Sequence, residues 1–132
     1  MRTFYIDASA FVKLFYREPE SDALRALTSD AGGVRAIASD LLAIEARRVA
    51  RRLGGRSPRD VERELAGVTL VRITEGLRDV AGSVGPPTLR SLDAIHLATA
   101  FELRDWLDAL LTYDRNLADA GRAVGLEVIT PR

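Results

Sequence analysis

Five short apolar runs punctuate the chain: TFYI at 3–6, VRAIA at 34–38, VTLVRI at 68–73, DALLTYD at 108–114 and LEVI at 126–129. The segments between them carry apolar residues at helical spacing. Strands alternating with helices predict an α/β fold, a mainly parallel sheet flanked by helix layers. The 132 residues fit one domain spanning 1–132, with no repeat and no low-complexity segment. In open parallel sheets ligands collect beyond the carboxyl ends of the strands, and Asp7 and Asp114 both follow such ends.

Local signals bound the helices. SAFVKLFYRE follows Asp7, and a second helix is expected over about Glu20 to Ser29. Ser39 is the expected N-cap of SDLLAIEARRVARRL, with Gly54-Gly55 ending that helix. Ser57 and Pro58 fit the cap and first position of SPRDVEREL, and Thr74 opens TEGLRDVAG. SVGPPT reads as a loop that hands over to a helix at about Thr88.

That next helix, LRSLDAIHLATA at 89–100, is apolar on nearly every face, which predicts burial, yet it contains Asp93 and His96. A carboxylate taken out of water must be paired, hydrogen-bonded, neutralised or metal-bound. Arg90 or His96, one turn away on either side, could satisfy Asp93 locally. Asp7 and Asp114 could be simple N-caps, and Glu45, near the apolar border of its helix, could pair with Arg48 or Arg52. Taken together, however, the four acids recur at the same kind of place, and if they converge their repulsion would call for a divalent cation.

Composition narrows the chemistry. No cysteine is present, which removes disulfides, thiolate catalysis and thiolate zinc sites and suits a reducing cytoplasm. One histidine excludes multi-histidine metal sites. An all-oxygen donor set suits Mg²⁺ or Mn²⁺, ions that act on phosphates by acidifying water and neutralising phosphoryl charge. Acids and bases balance at 19 each, so any polyanion site must be a local patch; Arg47, Arg48, Arg51, Arg52 and Arg56 are either such a track or a solvated face. The amino-terminal stretch is interrupted by Asp7 and Lys13, so no membrane span or signal peptide is expected, and an intracellular, cytoplasmic location is.

With YIDASAFVKLF, SDLLAIEARR, LRSLDAIHLATA and LLTYDRNLADAGRAVGLEV in this order, the chain resembles the PIN-domain ribonucleases, above all the VapC-type toxins of toxin–antitoxin pairs. The resemblance implies a mainly parallel five-stranded sheet flanked by helices. It implies metal-dependent endoribonuclease activity by activated water, leaving 5′-phosphate and 3′-hydroxyl ends. It assigns catalytic and metal-holding roles to Asp7, Glu45, Asp93 and Asp114, with Mg²⁺ or Mn²⁺ as cofactor. Asn116 or Asp119 could assist Asp114, and Arg90, Arg48, Arg52 and Asn116 are candidate RNA contacts. A VapB-type antitoxin, an RNA substrate and a homodimer are the implied partners. The alternatives are a non-enzymatic α/β binding module and a receiver-like signalling domain; a receiver needs a late lysine, whereas the one lysine is Lys13.

Overall fold

The computed structural model describes all 132 residues. Five strands, β1 (Arg2–Ile6), β2 (Val34–Ser39), β3 (Val68–Val71), β4 (Ala109–Leu111) and β5 (Val128–Ile129), form one sheet in the order β3-β2-β1-β4-β5. All four pairings are parallel. The helices are α1 (Ala8–Phe15), α2 (Ser21–Thr28), α3 (Leu41–Leu53), α4 (Pro58–Leu65), α5 (Glu75–Ala81), α6 (Ser91–Glu102) and α7 (Arg115–Ala123). The α/β architecture expected from the alternation is therefore the one observed.

Side chains of β1 alternate between the two helix layers, as the two-residue period of a strand dictates. Phe4 and Ile6 join Phe11, Phe15, Leu42 and Leu65 on one side, while Tyr5 joins Leu97, Leu110 and Leu117 on the other. Burying all three leaves β1 the central strand, and the chain turns outward in opposite directions on either side of it. Such a reversal, here beyond the carboxyl ends of β1 and β4, is the crevice in which open α/β sheets place their ligands. The register pairs Ile6 with Leu111 and Tyr5 with Ile37, so Asp7 follows directly beside Thr112 and Ser39.

Several boundaries differ from expectation, among them β5, which covers only Val128–Ile129 of LEVI. α6 begins at Ser91 rather than Thr88, because the Pro86 carbonyl accepts from Leu89 N–H in a turn and leaves Arg90 extended. Gly85, at φ +76, permits that turn; a Cβ there would stand 2.8 Å from Leu89 Cδ2. Ser39 is the last residue of β2, not the N-cap of α3; the cap position is Asp40, whose side chain makes no capping bond, while Ser39 Oγ accepts from Leu41 N–H. β3 ends at Val71, two residues short of the apolar run. α6 is buried along one broad side, but Leu92 is half exposed, so the helix is not covered all round.

Candidate active site

Asp7 is 4 % exposed and caps α1. Its Oδ1 accepts from Ala10 N–H at 3.0 Å and Ser9 Oγ–H at 2.7 Å, and its Oδ2 accepts from Thr112 Oγ1–H at 2.6 Å. The two hydroxyls accept in turn: Ser9 Oγ from Tyr113 N–H and Thr112 Oγ1 from Asp114 N–H. One clamp thus ties the end of β1 to the end of β4. Burial pushes the Asp7 carboxyl above the usual aspartate range, opposed by the bonds from Thr112, Ser9 and Ala10.

Asp114 caps α7, with Oδ1 accepting from Leu117 N–H at 2.9 Å. Asp93, in the first turn of α6, is half-buried and makes neither a hydrogen bond nor an ion pair. Burial pushes its carboxyl up, and the charges of Asp114, Asp7 and Glu45 push the same way, against the opposite pull of His96. Asp93 therefore lies within electrostatic reach of the other three acids. Neither local partner expected for Asp93 is used: Arg90 forms no ion pair, and His96 turns elsewhere. The reason is packing, since His96 lies on the buried side of α6 while Arg90 precedes the helix in extended backbone.

Glu45 does not pair with Arg48 or Arg52. Its Oε1 lies 2.6 Å from His96 Nε2, and His96 Nδ1 lies 2.7 Å from Tyr5 Oη, which also accepts from Ser39 N–H. Tyr5 was read only as a strand residue. A tyrosine inside a central strand must find a partner for its hydroxyl, and that signal could have singled it out. As placed, no three of these acids and His96 close on a single point as a metal-binding group.

The basic run divides. Arg47 makes a two-pronged bond to Glu62 at 2.7 and 3.0 Å, and Arg56 donates to the Phe15 carbonyl while stacking over the Phe15 ring. Both are structural braces. Arg48, Arg51 and Arg52 are exposed and form no ion pair, as do Arg90 and Arg115, the latter directly after Asp114. Asn116 and Asp119 are exposed and line a cleft of about 570 Å³ with Pro86, Thr88 and Leu89, and Asp119 meets Arg122 at 3.8 Å. Of this pair only Asp119 is engaged. Lys13 is held between Glu18 and Glu20.

The chain matches the PIN domain family over residues 4–123. It is similar to Ribonuclease VapC46 of Mycobacterium tuberculosis, at 41 % identity over 131 residues covering 99 % of each chain. Among solved structures, it resembles M. tuberculosis VapC20, a sarcin–ricin-loop-cleaving toxin, with a TM-score of 0.72, 15 % identity, and 97 % and 99 % of the two chains covered. A toxin–antitoxin complex from Klebsiella pneumoniae gives 0.70 at 21 % identity, covering 100 % and 98 %. Those two structures share the fold, and the near-full-length identity supplies the kinship: the chain belongs to the PIN-domain family, among the VapC-type ribonucleases.

Proposed function

We propose that this protein is an endoribonuclease toxin in which Asp7, Asp93, Asp114 and Glu45 hold Mg²⁺ or Mn²⁺ at the crevice between β1 and β4. The observation that carries this reading is Asp93: half-buried, without a partner, and repelled by three other acids. A folded protein keeps such uncompensated charge where a cation belongs. The donor set fits, since every candidate ligand is a hard oxygen, and Mg²⁺ commonly takes one or two carboxylates and keeps water for the rest. When bound, such an ion supplies acidified water and neutralises phosphoryl charge.

The chain's own groups divide the remaining work. Asp7 is immobilised by three bonds, whereas Asp93 is free to meet a ligand. Ser9 and Thr112 donate their hydroxyl protons to Asp7 and so fix the orientation of that carboxylate. His96 is 2 % exposed with both ring nitrogens engaged, so it does not act as base on RNA. Arg48, Arg52 and Arg90, lacking internal partners, are free to contact phosphates, and Asn116 is a further candidate RNA contact.

The kinship to VapC ribonucleases, with a fold also seen in a toxin–antitoxin complex, supports a VapB-type antitoxin as partner; with it go a cation presented to the acids and a homodimer as further parts of the proposal. No helix is long and apolar enough to cross a membrane, which is consistent with a cytoplasmic enzyme. Cleavage of single-stranded RNA by the purified protein in Mn²⁺ tests the proposal. Activity abolished by chelator, restored by added metal and lost in Asp7→Asn is expected. Cleavage indifferent to chelator, or intact in Asp7→Asn, would overturn it.

A further inference from the structure

Ser39 N–H, Tyr5, His96 and Glu45 form an unbroken hydrogen-bonded chain that starts in β2, crosses β1 and α6, and ends at a candidate ligand on α3. Its direction follows from counting protons. Tyr5 Oη accepts from Ser39 N–H at 3.0 Å, and the closest acceptor for the hydroxyl's own proton is His96 Nδ1 at 2.7 Å. The neighbouring Thr99 hydroxyl donates to the Ile95 carbonyl. A phenol keeps its proton at neutral pH. Were Nδ1 the protonated nitrogen, the Tyr5 proton would be stranded in a fully buried site, at the desolvation cost of an unmade bond. At the other end a carboxylate can only accept, so Nε2 must donate.

We propose that His96 is a positioning residue for Glu45: Tyr5 and Glu45 together fix its tautomer, and Nε2–H holds Glu45 Oε1 so that Oε2 is the freer oxygen for the metal. The inference rests on the metal reading above. Two anchors make the device rigid, because Tyr5 sits in the central strand and His96 on the buried side of α6. Hydrogen-bonded partners that orient metal ligands typically set affinity by 10- to 100-fold, which is about the size of effect expected here.

His96 is the one histidine in the chain, so ¹⁵N-histidine labelling reports a single ring. The metal-free protein is expected to show a protonated Nε2 and a bare Nδ1, with the Nδ1 signal displaced in Tyr5→Phe, where its donor is gone. Mn²⁺ affinity, measured by calorimetry, should fall about 10- to 100-fold in His96→Leu. His96→Gln, whose amide carries both an acceptor and a donor, should recover most of that loss. In a Glu45→Gln background, His96→Leu should alter affinity by no more than about twofold, because the coupling is already gone. Circular dichroism identifies any variant that fails to fold; Tyr5→Phe, which keeps the ring, then carries the affinity test, with weakened Mn²⁺ binding expected and wild-type binding against the proposal. A wild-type ring protonated on Nδ1, or equal Mn²⁺ binding by wild type and His96→Leu, overturns the inference while leaving the metal reading intact. A wild type that binds no Mn²⁺ overturns that reading and the inference with it.

Discussion

The two sides of the crevice solve the same electrostatic problem in opposite ways. At the β1–β4 junction the chain satisfies itself: Asp7 accepts three hydrogen bonds, and the hydroxyls that supply two of them also cap the Tyr113 and Asp114 amides. On the helix side, Asp93 faces three negative neighbours with no bond of its own. Stability is concentrated in the first region and unsatisfied charge in the second. A carboxylate can therefore be essential to function in either place, but only the first kind also holds the fold together.

Substituting one residue from each side separates these roles. Asp93→Asn should reduce RNA cleavage by more than about 100-fold, exceeding the usual effect of losing a supporting group, while the metal-free protein melts at the same temperature or higher. A fall in melting temperature would show that Asp93 is structural after all. Thr112→Val should do the reverse in emphasis, destabilising the fold by about 2 kcal/mol in urea titrations, because it removes a donor to a buried carboxylate and orphans the Asp114 amide.

The same contrast predicts a pH dependence. Asp7 and Asp93 both titrate above their ordinary 3.8 in the folded protein, so the folded state binds more protons than the unfolded one there. Stability of the metal-free protein should accordingly rise as pH is lowered from neutrality through the folded-state values, and gain nothing further from these groups below 3.8. Melting scans with and without Asp93→Asn measure its share, and a flat difference between the two would remove Asp93 from the account.

Smaller effects are expected on the basic face. Neutralising Arg48 and Arg52 together should lower the salt slope of single-stranded RNA binding by about 1.4, near 0.7 per lost phosphate contact. Arg47→Ala should leave RNA affinity unchanged and cost a few tenths of a kcal/mol, about the worth of an exposed ion pair. Equal losses of RNA affinity in both variants would erase the division between track and brace.

Much of this layout can be read from one dimension. Alternating apolar runs and helices reveal the parallel sheet, and Asp7 and Asp114 stand out because strand ends are where such folds gather polar groups. Local signals also mark Gly54, Ser57 and Thr74, where cap and turn chemistry needs only a few residues. What escaped was long-range. His96 lies three residues from Asp93, so helical spacing pairs them, yet its actual partners are 51 and 91 residues away and become neighbours only through strand order. The start of α6 was missed for the opposite reason: a turn around Pro86 overrode an otherwise helical apolar pattern.

The clamp between Thr112 and Asp7 spans 105 residues of sequence. During synthesis, a chain that has left the ribosome only as far as α5 already contains Asp7 and Glu45 but neither Asp93 nor the hydroxyl that closes on Asp7 from β4. Docking of β4 beside β1 is a non-local event of the slow kind, since loop closure precedes its reward. With the site proposed above, competence would arise only once β4 has docked, and a truncated product ending before β4 is expected to be inert whatever its early residues.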